Sequence, residues 1–446
     1  MNLNIEMQKL KELAREAADK IEKYEHVRII SHNDADGLTS AGIICQALMR
    51  KGIHFHVSIV PRLDKSVVDM VKETASDGDL VLFCDMGSGQ SDIISEIKQD
   101  IVVLDHHVPV GETPAKVFVN PHLVGIDGAM HISGSGVTFF VAMEMEPANV
   151  DLAGLAIAGA VGDKQLFNTL NGHILEEAVN AEVVSVKKGL KVGDGDLAKV
   201  LEYTPEPYLD ITGDSEKIEQ FLDFLGISGN IEDLNPDHTK SLTSAIALKL
   251  AKNASPEAVD AAIGDLYILN KEIVHNVYDL VAILNTCGKA EKGGMGLSIC
   301  MKDKTHLEEA IDMTISHQIS IVENIKKGMD MVKQGNSIGY LIGEDMESTG
   351  MIASTFVRYV NPEMPFIAVN QVEGLVKVSA RGTRALVEKG LDLSFALREA
   401  AKLVGGEGGG HNVASGASIP PGTAEQFIAK VDEIVAEQLP KQGKAE

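Results

Sequence analysis

The chain of 446 residues is long enough for two or three domains, and its 44% hydrophobic and 24% charged residues are typical of a globular protein rather than a disordered or fibrous one. Its net charge of −25 excludes a surface covered with Lys and Arg for binding duplex DNA or anionic membranes. A site for a polyanion must therefore be local or assisted by metal ions.

The N-terminal segment is charged throughout and is predicted to form an amphipathic helix rather than a signal peptide. No apolar run is long enough to span a bilayer, so we expect a cytoplasmic protein without a membrane partner. The spacing of the four cysteines fits neither a CxxC motif nor a zinc site. We expect them to be reduced and buried: Cys45, Cys84, Cys287 and Cys300.

From Val27 to about residue 165, short apolar runs alternate with helical stretches, which is typical of a parallel α/β sheet. The runs VRIIS, LVLFCD and IVVLD end at polar, acidic or histidine-rich tips. In open α/β sheets the ligand crevice lies at the carboxyl ends of the strands. We expect the first domain, with its N-terminal helix, to cover residues 1–185.

Residues 186–332 are predicted to form a helical insert and connector that ends in a long amphipathic helix from His306 to Val332. Strand patterns return in SIGYLI, PFIAVN and LVKVSA, followed by a helix and a glycine cluster. Residues 333–446 are therefore predicted to form a second, smaller α/β domain. Residues 331–446 carry a net charge of only −3, which leaves −22 on residues 1–330. The predicted fold class is α/β, with the active site in the cleft between the two α/β domains.

The first candidate site is SHNDADG at residues 31–37, directly after a predicted strand. In an extended loop the side chains of His32, Asp34 and Asp36 point to one side, so three hard ligands can converge on a cation. Gly37 allows the backbone to turn closely into a helix. Asp-x-Asp after a strand is also common as a helix cap, and the motif alone leaves both interpretations open.

Two more candidates follow the next strands. Asp85 ends LVLFCD, where a single acid serves as a helix cap as readily as a ligand. Asp105, His106 and His107 end IVVLDHH, and adjacent strand residues face opposite ways, so core packing does not explain both histidines. A carboxylate commonly orients a metal-binding imidazole. The alternative is a surface loop that happens to contain two histidines.

The fourth candidate is the carboxylate that ends the apolar helix DLAGLAIAGAVGDK, where the negative end of the helix dipole disfavours it unless a cation lies opposite. Together the four segments supply six ligands, which suits two divalent ions: His32, Asp34, Asp36, Asp85, His106 and Asp163. Oxygen and imidazole donors without thiolate favour manganese or magnesium over structural zinc, and of the two we expect manganese. Two such ions stabilise the attacking and leaving oxygens of a phosphoryl displacement.

The motifs HNDADG, LVLFCDMG, IVVLDHH and AGAVGDK resemble, in this order, those of the DHH phosphoesterase superfamily. VSARGT and GGGHNVASGASI resemble its DHH-associated C-terminal domain. The resemblance covers about residues 25–185 and 335–425, and the layout is most similar to archaeal RecJ-like single-strand nucleases. It implies that Asp85 bridges the metals, that His107 faces the scissile phosphate, and that Asp105 orients its neighbours.

In the second domain, the resemblance implies that Arg381 and a turn formed by Gly409, Gly410 and His411 bind the phosphates of the substrate. An Arg fork pairs with phosphate in bidentate fashion, and glycines permit close approach of backbone N–H groups. An ordinary surface Arg and a flexible turn are the alternatives.

The predicted function is that of a metal-dependent phosphodiesterase, a RecJ-like exonuclease that hydrolyses single-stranded DNA or RNA from an end and releases mononucleotides. One alternative is a phosphoesterase for short oligoribonucleotides, phosphorylated nucleosides or cyclic dinucleotides, which the low aromatic content fits. Another is a scaffold of a replication complex with residual activity, although such a protein is expected to lose ligands and here every motif position is filled. The long insert favours the nuclease and offers a surface for replication or repair partners.

Overall fold

The chain forms two compact units, and the computed structural model describes residues 3–439 of it. The first unit combines the residues up to Lys187 with Asp265–Thr314. The second combines Lys188–Gly264 with the residues from Ile315 onward. Residues 186–332, which the sequence pattern suggests as one insert, are therefore distributed over both units.

The first unit is built around a sheet of five strands. They are His26–His32 (β1), His54–Val60 (β2), Leu80–Cys84 (β3), Asp100–Leu104 (β4) and Val117–Val119 (β5). Their order is β2-β1-β3-β4-β5, and all four pairings are parallel, which confirms the predicted α/β class. Because β1, β3 and β4 are neighbours, the residues that follow them meet at one edge of the sheet.

Helices cover both faces of this sheet, which explains why its central strands are almost wholly apolar. The helices of this part of the chain are Leu3–Ile21 (α1), Ala35–Lys51 (α2), Lys65–Thr74 (α3), Ser91–Ile94 (α4), Gly128–His131 (α5), Gly134–Met145 (α6), Ala153–Gly162 (α7) and Leu170–Asn180 (α8). α1, α2, α6 and α7 pack on one face, in a core that includes Leu38 and Phe139. α3 and α4 pack on the other face, with Val68 and Phe83.

The chain leaves the first unit in one strand and returns in another, and these two strands pair with each other. In chain order the elements are Val184–Leu190 (β6), Leu197–Tyr203 (α9), Ser215–Leu225 (α10), Pro236–Leu250 (α11), Pro256–Ala262 (α12), Ile263–Leu269 (β7), Val277–Lys289 (α13), Gly293–Cys300 (α14) and Leu307–Asp330 (α15). This stretch is mostly helical, as predicted, and the long helix predicted from His306 is α15.

The second unit contains a mixed sheet of six strands. They are Lys333–Gln334 (β8), Gly339–Glu344 (β9), Phe366–Val372 (β10), Leu375–Arg381 (β11), Glu407–Gly410 (β12) and Ala414–Ile419 (β13), in the order β12-β13-β11-β10-β9-β8. Only β9 and β10 pair in parallel. The second α/β domain is thereby confirmed.

The helices that follow α15 are Thr349–Thr355 (α16), Arg384–Glu388 (α17), Leu393–Leu403 (α18) and Ala424–Gln438 (α19). α18 and α19 cover one face of the mixed sheet, with Phe427 in the core, whereas α16 and part of α15 cover β9 and β10 on the other. The glycine cluster forms the hairpin of β12 and β13. Gly409 and Gly410 belong to β12, so the turn predicted from Gly409 begins only at His411.

None of the helices among residues 3–439 has both the length and the apolar character needed to cross a membrane. All four cysteines are buried and unpaired, as their spacing suggests.

Candidate metal centre

The edge of the parallel sheet brings all four sequence motifs of the first unit together. His32 ends β1, Asp85 follows β3, and Asp105 to His107 follow β4. Asp163 is the residue after α7. The expected extended loop is shorter than predicted, because Asp34 is the N-cap of α2 and Asp36 already lies in the first turn of that helix.

The six predicted ligands form two groups, in each of which the potential ligand atoms lie within 4.8 Å of one another. In the first group, Nδ1 of His32 is 2.9 Å from Asp34 and 3.5 Å from Asp85. In the second, Nε2 of His106 is 3.4 Å from Asp163 and 3.8 Å from Asp36. The side chains of His32, Asp34 and Asp36 therefore do not converge on one cation position. His32 and Asp34 belong to the first group of ligands, and Asp36 belongs to the second.

Asp85 lies beside both groups of ligands. Its Oδ2 faces His32, and its Oδ1 lies 3.3 Å from Nε2 of His106. The side chain is only 2% exposed, and Oδ1 is buried without a hydrogen-bond partner. Its backbone has φ of +56°, a strained conformation for a residue other than glycine that costs on the order of 1 kcal/mol. A buried carboxylate oxygen without a donor fits a cation.

Asp36 is held by the N-terminus of α6. Its two carboxylate oxygens accept hydrogen bonds from the backbone N–H groups of Gly134 at 2.6 Å and Ser135 at 2.9 Å. Helix N-terminal amides favour a negative charge, so this contact orients the carboxylate. Burial and the charge of Asp85 act in the opposite direction and raise the pKa of Asp36 to about 6. Sequence reasoning did not identify this contact, which lies at the segment SGSG, Ser133 to Gly136. The small residues of this segment were the signal that a carboxylate approaches there.

His106 is oriented through its other ring nitrogen. Nδ1 donates to the carbonyl oxygen of Gly128 at 2.9 Å, and that carbonyl also accepts from the side chain of Gln165 at 2.9 Å. With Nδ1 protonated, Nε2 is the nitrogen that faces Asp36, Asp85 and Asp163. This is the usual way in which a protein fixes the tautomer of a metal-binding histidine. Neither Gly128 nor Gln165 was among the predicted residues.

Asp105 has its oxygens occupied by the loop that contains it. Oδ1 accepts from the backbone of His106 at 2.8 Å and from Nδ1 of His107 at 2.8 Å, while Oδ2 accepts from the backbone of Ser88 at 2.9 Å. Burial by itself raises the pKa of Asp105, but the hydrogen bonds from His107 and Ser88 outweigh it and hold the pKa well below its usual range. The side chain of His107 is 59% exposed.

The pocket favours positive charge. Burial and the carboxylates of Asp36 and Asp85 raise the pKa of Asp163 far above its usual range. Burial lowers the pKa of His106, but Asp85 and Asp36 outweigh this effect and raise it to about 11. Both shifts retain protons in a site that is too negative without them. A divalent ion that displaces those protons would neutralise the same carboxylates.

The returning segment of the first unit supports the His32–Asp36 loop. The side chain of Asn285 in α13 accepts from the backbone of Ala35 at 3.0 Å, and Asn33 donates to the carbonyl of Gly288 at 3.0 Å. A Cβ atom at Gly288 would lie 1.6 Å from the carbonyl oxygen of Asn33, so only glycine permits this approach. No sequence motif marks α13, so sequence reasoning missed its support of the loop.

The substrate-binding residues predicted in the second unit lie at one end of its mixed sheet. Arg381 pairs with Ala414, and His411 closes the hairpin turn onto the same residue. Gly409 and Gly410 end β12 alongside. The guanidinium of Arg381 donates to the carbonyl of Ala380 at 2.9 Å, and burial lowers its pKa. Among residues 3–439 it forms no ion pair with a carboxylate.

Comparison with known proteins identifies two domains. The model of the DHH family, N-terminal domain, matches residues 26–160, and the model of the DHHA1 domain matches residues 336–437. An uncharacterized protein of Methanocaldococcus jannaschii is 34% identical over 447 residues, which cover 97% of this chain and 99% of that protein.

The chain is also similar to RecJ proteins, in sequence and in structure. The single-stranded-DNA-specific exonuclease RecJ of Bacillus subtilis is 24% identical over 270 residues, which cover 53% of this chain and 34% of that protein. The structure of Thermus thermophilus RecJ in complex with Mn²⁺ has a TM-score of 0.59 at 18% identity and covers 95% of this chain and 55% of that one. The complex of the same protein with Mg²⁺ has a TM-score of 0.53. The chain thus spans about a third to a half of these RecJ proteins.

The shared position of Asp85 predicts the effect of removing its charge. A ligand that binds only the folded state stabilises it, by about 2.7 kcal/mol at a hundred times its Kd, so Mn²⁺ is expected to raise the Tm of the wild type. Asp85→Asn is expected to abolish that rise. Thermal unfolding with and without Mn²⁺ measures it, with Asp69→Asn on the exposed face of α3 as the control. An unchanged rise in Asp85→Asn would contradict the assignment.

The contact of Asn285 with the loop predicts a loss of metal affinity without loss of a ligand. Removing a group that orients metal ligands typically costs 10-fold to 100-fold in affinity. We therefore expect Asn285→Ala to raise the Kd for Mn²⁺ by about 10-fold or more in isothermal titration calorimetry. Asn180→Ala, an exposed asparagine at the end of α8, should leave the Kd unchanged. Equal Kd values for the two variants would mean that α13 does not position the loop.

Proposed function

Because the chain belongs to the DHH family and carries a DHHA1 domain, we propose that it is a two-metal phosphodiesterase of the RecJ type. It hydrolyses single-stranded DNA or RNA from an end and releases mononucleotides. The observation that carries the proposal is the position of Asp85, whose two oxygens face two separate groups of ligands. The name of the Bacillus subtilis relative, a single-stranded-DNA-specific exonuclease, supports the substrate class.

Two divalent ions, Mn²⁺ in preference to Mg²⁺, would be held in this site, and both ions are found in complexes of the Thermus thermophilus protein. Imidazole and carboxylate donors without thiolate fit this choice. The proposed ligands are His32, Asp34, Asp36, Asp85, His106 and Asp163. When bound, such ions lower the pKa of water to provide a nucleophile and neutralise the charge on the phosphoryl oxygens.

His107 is the proposed catalytic residue of the loop after β4. Its Nδ1 is engaged by Asp105, its ring is exposed, and Nε2 is thus the nitrogen available to a substrate. The hydrogen bond from His107 to Asp105 raises the pKa of His107, so the ring is more readily protonated than a free histidine. A protonated His107 can donate to a phosphate oxygen or to the leaving oxygen. Asp105 positions it.

Arg381 is the proposed phosphate-binding residue of the second unit, with the backbone of Gly409, Gly410 and His411 beside it. The guanidinium is partly buried and has no carboxylate partner among residues 3–439, which leaves its charge available to an anion. An Arg fork matches two phosphate oxygens at once.

The second candidate is a phosphoesterase for short oligonucleotides, phosphorylated nucleosides or cyclic dinucleotides. The net charge of −25 and the absence of Trp favour it, since both disfavour an extended strand-binding surface. A scaffold in a replication complex is the third candidate, and the complete set of ligands argues against it. Substrate length separates the first two, because the small-substrate enzyme would act only on the shortest members of a graded series.

Contacts with replication or repair proteins through the helical stretch remain a proposal. In this stretch α10 exposes 86% of Phe224 and α11 exposes 70% of Leu248, so apolar surface is available. A deletion of the whole stretch would not test it, because Asn285 and Gly288 support the metal loop. Substitutions confined to α10 and α11 avoid that damage.

For catalysis, we expect Mn²⁺-loaded protein to degrade end-labelled single-stranded DNA or RNA of graded length to mononucleotides. His107→Gln should lower kcat by about 100-fold or more, the range for loss of a general acid or base, with little change in KM. His54→Gln, an exposed histidine on β2, is the matched control. The proposal fails if the wild type leaves every oligonucleotide intact, and the role of His107 fails if its variant keeps full kcat.

For phosphate binding, we expect Arg381→Gln to raise KM and to lower kcat/KM by about 10-fold to 100-fold, as for loss of a charge-assisted hydrogen bond. Arg381→Lys should recover only part of this loss, since an ammonium cannot pair in bidentate fashion. Arg398→Gln, on the exposed surface of α18, should behave like the wild type. Steady-state kinetics of the wild type and the three variants on one oligonucleotide measure these effects. Equal kcat/KM values for Arg381→Gln and Arg398→Gln would refute a role of Arg381 in phosphate binding.

A further inference from the structure

Strand β11 presents a row of polar side chains on the face that α18 and α19 do not cover. Val376, Val378 and Ala380 point into the core under those helices. Because strand side chains alternate, the intervening residues point to the opposite face: Lys377, Ser379 and Arg381. Arg381 is the proposed ligand of the substrate phosphate, which leaves Lys377 at the other end of the same row without a role.

The row borders a groove on the second unit. Ser379 pairs with Gly416, and Gly416 pairs with Gly409, so two glycines lie beside Ser379 on the same face. A Cβ atom at Gly409 would meet nothing within 4 Å. On the other side, Thr349 of α16 lies 3.3 Å from Ser379, oxygen to oxygen. The floor is thus open backbone, and the wall is the start of α16.

At the Lys377 end the groove widens into a cavity of about 600 Å³, lined by Thr349, Asn370, Lys377, Val378, Ser379, Glu407, Gly408, Gly416, Ala417 and Ser418. The cavity is shallow and open to solvent, unlike the enclosed clefts that bury small molecules. The amide of Asn370 is not available to a ligand, because it bonds the backbone of Met346 in both directions. Lys377 is the cationic side chain of this lining.

The side chain of Lys377 is exposed, and its ammonium group forms no hydrogen bond or ion pair within residues 3–439. Glu407 lines the same cavity on the same face, but it lies one strand further away, beyond Ser418. Lys389 and Lys402 of the same unit are, by contrast, paired with Glu363 and Glu399. Two unpaired cations on one face of one strand match an extended anion better than a single phosphate group.

We propose that Lys377 binds a second backbone phosphate of a single-stranded nucleic acid whose first phosphate lies at Arg381. The two residues are four positions apart, and a strand rises about 3.3 Å per residue, so their Cα atoms are separated by about 13 Å. A chain of several nucleotides reaches both side chains, whereas a substrate with one phosphate occupies only one of them. This inference rests on the proposed function and adds to it a preference for longer substrates.

The test compares Lys377→Gln with the wild type on dT12 and on dT2, which has a single phosphate. In Mn²⁺ we expect kcat/KM for dT12 to fall by about 10-fold through KM, with values for dT2 within about twofold. Binding of labelled dT12 in EDTA, which needs no catalysis, should weaken in parallel. The slope of log affinity against log salt should become shallower by about 0.7, the value for one single-strand phosphate contact. Lys377→Arg should restore binding, and Lys402→Gln should match the wild type.

Equal losses on dT12 and dT2, or unchanged binding of dT12 and an unchanged salt slope, would overturn the inference. If Lys377→Gln binds dT12 as the wild type does while the wild type degrades dT12, the inference falls and the proposed function stands. If the wild type cleaves dT2 but not dT12, the exonuclease proposal falls, and the binding measurement in EDTA still decides the role of Lys377.

Discussion

Mutual repulsion among clustered carboxylates is the constraint on which the first unit depends. Asp34, Asp36, Asp85 and Asp163 lie around two imidazoles at one edge of a parallel sheet, and the burial of Asp36 and Asp85 adds to the repulsion. No lysine or arginine forms an ion pair with any of the four among residues 3–439. Instead, each carboxylate is positioned by its own local contacts. Asp34 and Asp36 accept hydrogen bonds from backbone N–H groups, and Asp85 is oriented by a backbone conformation with positive φ. Such a site is costly unless a cation is bound, so its presence in this fold favours metal binding.

This constraint explains the small residues of α6 and α7. A Cβ atom at Gly159 would lie 2.2 Å from Asp36 and 2.0 Å from the hydroxyl of Ser135. A Cβ atom at Gly134 would lie 2.8 Å from that of Asp85. In an ordinary core such positions would hold larger apolar side chains, which stabilise a protein by burial. Here the helices approach closely enough for backbone amides to replace water around a carboxylate.

The sequence predicted the parts of the site that depend on local pattern. Strands in a parallel sheet all end at one edge, so motifs that follow VRIIS, LVLFCD and IVVLD had to lie near each other once the α/β alternation was recognised. It could not predict the support from Asn285, which is 250 residues from its partner Ala35 and lies in a stretch without any motif. The hairpin of the glycine cluster was missed for a different reason. Glycine favours turns, yet Gly409 lies in a strand because β13 supplies its hydrogen bonds.

The acidity of the chain limits how it can hold a nucleic acid. Affinity for a polyanion grows with the number of phosphates that cations neutralise, and here −22 of the net charge lies on residues 1–330. Several basic side chains of the second unit form ion pairs, such as Arg358, Lys389 and Lys402, whereas Arg381 and Lys377 form none among residues 3–439. A protein with few available cations cannot rely on long-range attraction to a strand. If the chain acts on a strand as proposed, recognition would come from short-range contacts at a strand end, and the charge of the proposed metal ions would supply what the side chains do not.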